Sequence, residues 1–352
     1  MPRERSAAFA PGRVNLIGEH TDYNAGLALP FAITEGVTVR ARANGTQRVQ
    51  AHARQLGERD EFPLADPPPA TGWRAFVRGV VAELERAGFP LAGARLEIDG
   101  GVPTGMGLSS SAALEVSLCL ALVQLGAAGP PGGEPADVDR KLIARLCSRV
   151  ENEWVGAHTG LLDQLASLYG AVDTAQLIDF RTLALEPVAL RLGDWRLVVL
   201  DSGERHRHAS SGYNERRTEC ARACELLGID SLREADAHAL VRLPQPLRAR
   251  AEHVLAENLR VLDAVAALSA GDLPALGALL NASHASLRDL YEISTPAVEA
   301  AVARLREAGA SGARMVGGGF GGSVLGLFAP GTRPPADARG VRPGAGAHVL
   351  RA

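Results

Sequence analysis

Apolar and polar residues alternate along the first third of the chain, and this period of two predicts β-strands. Three such strands are expected, at residues 27–33, 37–42 and 49–54. A helix should follow them, because apolar side chains recur every three or four positions at Trp73, Phe76, Val77, Val80, Val81 and Leu84. Residues 95–98 return to a strand pattern. The first part of the chain is therefore predicted to combine a sheet with packed helices.

Helical periodicity dominates the rest of the chain. Amphipathic or apolar helical segments lie at residues 141–154, 161–169, 215–227, 247–268, 273–290 and 296–308. Further strands are predicted at residues 172–179 and 195–200. Residues 329–347 contain several prolines, glycines and arginines, which predicts an exposed, loosely ordered connection to a short terminal strand. We place the domain boundary so that residues 1–185 form an N-terminal domain and residues 186–352 a C-terminal domain.

Length and charge narrow the class of protein. A chain of 352 residues exceeds a typical single core, which predicts about two domains. Its 37 basic and 40 acidic residues give a net charge of −3, too balanced for a surface that binds nucleic acid. The sequence has neither a run of ~18 apolar residues nor the apolar core of a signal peptide, so a cytoplasmic protein is expected. Its four cysteines include no Cys-x-x-Cys pair, which favours reduced, structural thiols.

The chain contains a single lysine, Lys141. The residues around Lys141 form neither a Gly-x-x-x-x-Gly-Lys-Ser/Thr loop nor a strand-borne Val-Ala-Ile-Lys. Nucleotide sites of the P-loop and protein-kinase types both depend on such a lysine. Both types are therefore excluded.

A dense polar cluster lies near the start of the chain, in the run from Gly12 to Tyr23. Leu16 and Ile17 predict the end of a buried strand, and Gly18 permits a sharp exit into a loop. The loop carries carboxylates and an imidazole. These groups suit sugar hydroxyls, which both donate and accept hydrogen bonds. Taken alone, the cluster is equally consistent with an ion-paired surface turn.

A second segment, residues 103–116, follows a predicted strand and opens an apolar helix. Gly105 and Gly107 allow the backbone to approach a ligand, and the serines at 109–111 can cap the helix. The first N–H groups of a helix are unpaired and lie at the positive end of its dipole, so the segment predicts a phosphate site. An ordinary helix start is the alternative. Without a suitable lysine, charge neutralisation would depend on Mg²⁺ and the helix dipole.

Two carboxylates farther along the chain are candidates for the chemistry. Asp163 falls in the first turn of a predicted helix, where the dipole favours its ionised form and lets it accept a hydrogen bond from a substrate hydroxyl. Glu151 ends the preceding predicted helix and could reach a metal shared with Ser111. Ordinary structural roles are the alternatives, with Asp163 as a helix cap and Glu151 as a solvated side chain.

Together these segments resemble galactokinases of the GHMP kinase superfamily over nearly the whole chain. Residues 12–30 resemble the galactokinase signature, residues 105–113 the superfamily phosphate loop, and residues 317–322 its third, glycine-rich motif. The first motif indicates the sugar, and the other two indicate the superfamily. The resemblance implies a two-domain α+β GHMP kinase fold. The N-terminal domain would combine a mixed β-sheet with helices and resemble ribosomal protein S5 domain 2. The C-terminal domain would be α+β, and the active site would lie between the two domains.

The resemblance also implies roles for individual residues. Arg13 would stabilise the transferring phosphoryl group, and Asp163 would face the anomeric hydroxyl. The sugar would be held by side chains of the first motif and one tyrosine, namely Glu19, His20, Thr21, Asp22 and Tyr213. ATP would be wrapped by Gly105, Met106, Gly107, Leu108, Ser109, Ser110 and Ser111. Mg²⁺ would be held by Ser111 and Glu151.

The implied reaction is transfer of the γ-phosphoryl group of ATP to the C1 hydroxyl of α-D-galactose, with no obligate protein partner. Alternatives are a kinase for N-acetylgalactosamine or arabinose, or a non-catalytic sensor of galactose and ATP. The chain departs from the family pattern at Ala25, at Leu161 and Leu162, and at Thr159, where cysteine is frequent. None of these departures is expected to touch a proposed polar contact.

Overall fold

A computed structural model describes residues 3–102, 107–127, 138–157, 159–204 and 209–351, with only the backbone described at 209–211. The strands are β1 (Arg5–Asn15), β2 (Leu27–Ala28), β3 (Pro30–Ala43), β4 (Arg48–Ala53), β5 (Glu58–Pro63), β6 (Ala94–Gly100), β7 (Thr174–Asp179), β8 (Ala184–Ala189), β9 (Arg196–Asp201), β10 (Ala310–Met315), β11 (Ser323–Phe328), β12 (Arg339–Val341) and β13 (His348–Val349). The helices are α1 (Trp73–Arg86), α2 (Ser110–Gly126), α3 (Arg140–Arg149), α4 (Leu162–Tyr169), α5 (Ala209–Leu227), α6 (Leu247–Ala270), α7 (Leu273–Asp289) and α8 (Pro296–Glu307).

A six-stranded mixed sheet forms the base of the N-terminal part, in the order β13-β1-β3-β6-β4-β5. Only β4 and β6 run parallel; the other neighbours are antiparallel. Helices α1 to α4 cover the sheet and share one apolar core with it, in which Val39, Leu96, Val80 and Leu118 are fully or almost fully buried. Burial of these side chains in a single core supplies the main driving force for this part of the fold.

The C-terminal part is built on a four-stranded antiparallel sheet in the order β10-β11-β9-β12. A small three-stranded sheet, β2-β7-β8, lies between the two parts. A single apolar cluster joins the parts, because Leu16 and Leu29 lie in it together with Val261, Leu276 and Leu325. Within the described ranges, none of the helices is both long and apolar enough to cross a bilayer.

The structure confirms the predicted α+β class and its mixed N-terminal sheet, and it corrects several elements. The strands expected at 27–33 and 37–42 form one strand, β3, with the separate two-residue β2 before it. Strands β5, β8, β10 and β11 are not among the predicted strands. The loosely ordered connection expected at 329–347 is wrong, because β12 lies within it and pairs with β9, and Val341 is buried. The domain boundary predicted after residue 185 lies within β8 and stays a prediction.

Candidate active site

A cleft of about 350 Å³ gathers residues from both parts of the chain. The predicted site residues that line it are Arg13, Glu19, His20, Asp22, Gly107, Leu108, Ser109, Ser110, Ser111, Asp163 and Tyr213. Gly105 and Met106, predicted to bind ATP, lie outside the described residues. The glycines of the third motif also line the cleft, at Gly317, Gly318 and Gly319. The three motifs, which are far apart in sequence, therefore meet at one place together with Asp163 and Tyr213.

Arg13 and Asp163 form an ion pair in the cleft. Strand β1 carries Arg13 near its end, and Asp163 lies in the first turn of α4, as predicted. Nε and Nη2 of Arg13 lie 2.8 and 2.7 Å from Oδ1 of Asp163, and the Arg13 side chain is only 8% exposed. Nη1 of Arg13 donates to the Gly107 carbonyl at 2.6 Å. One guanidinium thus joins the carboxylate to the loop that precedes α2.

Ser109 contacts Asp163 from the other side, and sequence reasoning missed this contact. Its hydroxyl donates to Oδ2 of Asp163, so both carboxylate oxygens are engaged. Ser109 is the N-cap residue of α2 and has a left-handed backbone (φ 57°), which directs it differently from the serines that follow it. Ser110 and Ser111 lie in the first turn of α2 and line the cleft. The first backbone amides of a helix lack partners within the helix, so this turn could bind an anion.

Glu19 is buried at the inner end of the cleft. Its carboxylate accepts hydrogen bonds from Asn15 Nδ2 at 2.7 Å and from the Gly317 amide at 2.8 Å, and Arg314 lies 3.5 Å away. Burial raises the pKa of Glu19, while the charges of Arg314 and Arg13 act in the opposite direction. The glycine-rich motif therefore supports a predicted site residue directly, through a backbone amide.

His20 and Asp22 extend from the same loop, residues 18–27, hereafter the N-terminal loop. Burial, and then the neighbouring His253, lower the pKa of His20 to about 3, so its imidazole is neutral near pH 7. Its Nδ1 lies 2.7 Å from the hydroxyl of Tyr23, and its ring lies 5.1 Å from that of Tyr213. Burial, and then the charge of Asp163, raise the pKa of Asp22 to about 7. The loop thus presents a neutral imidazole and a readily protonated carboxyl group, which can both donate and accept.

Thr21 is the one predicted sugar-binding residue in the described part of the chain that does not line the cleft. Its side chain is fully buried, and its hydroxyl lies 2.9 Å from the Gly18 carbonyl and 2.7 Å from the Leu27 carbonyl. These contacts join the two ends of the N-terminal loop. The structure places Thr21 within the scaffold of the loop.

Glu151 lies behind the cleft, in a π-helical turn (Val150–Val155) that continues α3. Its Oε1 accepts a hydrogen bond from Ser111 at 2.9 Å, and its Oε2 accepts one from Gln164 at 3.1 Å. Burial raises its pKa, and the charge of Asp163 raises it further. A nearby cation would favour the ionised form. A serine hydroxyl and a carboxylate are oxygen ligands of the kind that Mg²⁺ prefers.

The oxygen atoms of Ser111 and Glu151 fit a magnesium ion whose other ligands are water and substrate phosphates. Among the residues that the structure describes, no three His, Cys, Asp or Glu side chains form a metal-binding group. Mg²⁺ commonly takes one or two protein ligands and completes its shell with water and substrate phosphates. Ser111 and Glu151, beside the first turn of α2, suit that pattern.

Thr159 corrects one expectation from the sequence. Its hydroxyl donates to Oε2 of Glu151, so this departure from the family pattern does touch a proposed polar contact. A cysteine at this position would be a weaker donor. The local sequence carries no signal for the contact, because Glu151 and Thr159 are brought together by the turn at Gly156, whose φ is 80°.

Three parts of the chain match models of known protein families. Residues 2–43 match the galactokinase galactose-binding signature, residues 75–171 the GHMP kinases N terminal domain, and residues 264–345 the GHMP kinases C terminal domain. A galactokinase of Mycobacterium bovis is 46% identical over 325 residues, covering 90% of this chain and 87% of the relative. A galactokinase of Thermotoga petrophila is 41% identical over 317 residues, with the same coverage.

Solved structures give the same result. The structure of Lactococcus lactis galactokinase complexed with galactose has a TM-score of 0.89 and 33% identity, covering 99% of this chain and 95% of the other. Mevalonate kinase of Methanococcus jannaschii has a TM-score of 0.64 and 16% identity, covering 96% and 98%. The second likeness supports the fold alone.

Proposed function

The chain belongs to the galactokinase family of the GHMP kinases, and we propose that it transfers the γ-phosphoryl group of ATP to the C1 hydroxyl of α-D-galactose. The products are galactose 1-phosphate and ADP. The observation that carries this proposal is the Arg13–Asp163 pair, which contacts Gly107 and Ser109 at the start of α2 and lines the same cleft as residues of the N-terminal loop. A sugar on one side and a triphosphate on the other would meet at this pair.

Asp163 receives the sugar in this scheme. Held by Arg13 and Ser109, its carboxylate orients the C1 hydroxyl and accepts its proton as the phosphoryl group arrives. Phosphoryl transfer has a loose transition state that needs little ionisation of the attacking oxygen, so orientation is the larger contribution. Arg13 stabilises the charge that spreads over the equatorial oxygens of the transferring group.

The phosphates of ATP lie at the first turn of α2 in this proposal. Backbone amides of residues 107–111 bind phosphate oxygens, and the serine hydroxyls add further donors. Ser111 and Glu151, which are hydrogen-bonded to each other, would hold Mg²⁺, and the ion would neutralise phosphate charge. Because ATP is the phosphoryl donor, we place the reaction in the cytoplasm. The division into residues 1–185 and 186–352 is likewise retained as a proposal.

The sugar hydroxyls are bound by Glu19, His20 and Asp22, with Tyr213 closing the pocket beside His20. The buried carboxylate, the neutral imidazole and the readily protonated Asp22 supply both donors and acceptors. Thr21 supports this group by holding the backbone of the loop. The pocket is therefore built for a polyhydroxylated ligand.

A sugar panel tests the function. The protein is incubated with ATP, Mg²⁺ and galactose, N-acetylgalactosamine or arabinose, and the sugar 1-phosphate is identified by NMR together with released ADP. We expect galactose 1-phosphate to form fastest. Faster phosphorylation of either other sugar would replace the proposed substrate. Galactose and ATP binding without any product would indicate a sensor and overturn the enzymatic proposal.

A further inference from the structure

Helix α6 reaches the N-terminal loop with three buried side chains on one of its faces, His253, Glu257 and Asn258. His253 and Glu257 are four residues apart, about one turn of the helix, and Asn258 follows Glu257 directly. The residues that line the cleft in the described part of the chain do not include any of the three. Their contacts with the loop are contacts with its backbone.

The two ends of the N-terminal loop are held by adjacent residues of α6. The Gly18 amide donates to Oε1 of Glu257 at 3.0 Å, and the Leu27 amide donates to Oδ1 of Asn258 at 2.8 Å. Both hydrogen bonds are buried. An amide left without its acceptor at such a place is costly, so these side chains strongly favour one position of the loop ends.

A third contact lies between these ends. Nε2 of His253 is 3.2 Å from the Glu19 carbonyl, and Nδ1 is 2.8 Å from the Ser286 hydroxyl. Because a carbonyl only accepts, Nε2 carries the proton, and Nδ1 accepts from Ser286. Glu19 is one of the residues that line the cleft. Helix α6 thus holds the main chain of a site residue.

The carboxylate of Glu257 is itself rigidly held. Oε1 also accepts from the Ser283 hydroxyl at 2.6 Å, and Oε2 accepts from Arg260 at 2.7 Å. The backbone amide that donates to Glu257 belongs to Gly18. Its φ of 99° favours glycine, and a Cβ added there would lie 2.6 Å from the Leu27 carbonyl oxygen. Glycine has the largest backbone freedom to lose, so this position needs an external contact to be ordered.

We propose that Glu257, Asn258 and His253 are positioning residues for sugar binding. They hold the N-terminal loop so that Glu19 and its neighbours face the substrate, and they do not touch the substrate themselves. The inference rests on the proposed function, because the ligand of the loop is taken to be galactose. It adds that residues of α6, in the C-terminal part of the chain, support the loop that binds the sugar.

The test compares three variants of helix α6. Glu257→Ala removes the acceptor of the Gly18 amide, whereas Glu257→Gln keeps a carbonyl oxygen there. Glu252→Ala is the matched control, because Glu252 lies on the same helix in a surface pair with Arg248, 33% exposed. For each, the KM values of galactose and ATP, kcat and the melting temperature are measured, and galactose binding is measured by calorimetry.

We expect Glu257→Ala to raise the galactose KM and Kd about tenfold or more, with the ATP KM changed less than about twofold. Glu257→Gln should recover most of the affinity, and Glu252→Ala should match the wild type. An unchanged galactose Kd in folded Glu257→Ala, or an equal rise in both KM values, would overturn the inference. If Glu257→Ala does not fold, Asn258→Ala is measured against Asn258→Asp, which keeps the acceptor, by the same criteria.

The calorimetric readout separates the two proposals. A wild-type protein that binds galactose but forms no sugar phosphate would contradict the proposed function, while the affinity differences among the variants would still test the positioning role. A wild-type protein that phosphorylates galactose, with affinity unaffected by Glu257→Ala, would contradict the positioning role alone.

Discussion

Arg13 and Asp163 are bound through a single carboxylate oxygen, because two nitrogens of the guanidinium lie 2.8 and 2.7 Å from Oδ1. The second oxygen, Oδ2, accepts a hydrogen bond from the hydroxyl of Ser109. Three segments of the chain therefore determine the orientation of one carboxylate. That orientation is what a reaction dominated by positioning requires.

Replacing Asp163 tests its assigned role. We expect Asp163→Asn to lower kcat by about 10²–10⁴-fold, because the amide cannot accept the proton of the hydroxyl although it keeps the size of the carboxylate. ADP release in a coupled assay measures this. Asp194→Asn, a change at an exposed position, is the control and should leave kcat unchanged. Near-normal turnover of Asp163→Asn would remove Asp163 from the chemistry.

The Thr159 hydroxyl should affect the requirement for Mg²⁺. Burial raises the pKa of Glu151, and the hydrogen bond from Thr159 lowers it. Glu151 must be ionised to bind Mg²⁺ as proposed. Thr159→Val should therefore raise the Mg²⁺ concentration for half-maximal activity by about three- to tenfold. Thr159→Ser keeps the donor and should behave like the wild type.

The dependence of activity on free Mg²⁺, at saturating galactose, measures this effect. Thr159→Cys, with its weaker donor, should lie between the valine and serine variants. Identical Mg²⁺ curves for valine and serine would show that the hydroxyl has no such role.

Asp22 should make stability depend on pH. Its pKa is raised to about 7 in the folded protein from an ordinary value near 3.8, so the folded state binds the proton more tightly than the unfolded state. The stabilisation is complete below pH ~4 and is lost as the pH rises through about 7. Unfolding in urea across this range should show a smaller pH-dependent loss for Asp22→Asn than for the wild type. Parallel curves would contradict the shifted pKa.

Gly160 leaves room for Asp22, since an added Cβ would lie 1.9 Å from Oδ2 of Asp22. Gly160→Ala should displace this carboxylate and raise the galactose KM about tenfold, with little change in the ATP KM. Gly340→Ala is the matched control, because nothing lies within 4 Å of its added Cβ. Steady-state kinetics of both variants measure the difference, and a galactose KM equal to that of the control would exclude the proposed clash.

Long amphipathic segments were the most predictable parts of the fold. The patterns at 247–268, 273–290 and 296–308 correspond to α6, α7 and α8, because a helix with one buried face carries its period in the sequence. For strand β1 the sequence indicates only the end, at Leu16 and Ile17, just after its last residue Asn15. Its second half is buried on both faces, and Pro11 and Gly12 lie within it, so neither alternation nor composition indicates where the strand begins.

The candidate site likewise contains residues that local sequence patterns predict and contacts that they do not predict. Motif residues such as Asp163 could be named from local spacing, because helix starts and glycine-rich loops have local signals. The contacts of Glu257 with Gly18 and of Ser109 with Asp163 join residues that are far apart in the chain. No local pattern records these partners, since tertiary packing alone brings them together.

The sheet that carries Arg13 is flanked by a strand from a distant part of the chain. Strand β13 pairs with β1, with Val349 opposite Ala8 and His348 opposite Phe9. During translation, β13 is made long after β1, so the edge of β1 at Ala8 and Phe9 stays open until residue 349 has left the ribosome. Until then, a nascent chain carries an unpaired strand edge in the sheet that holds Arg13, a surface prone to pairing with other chains.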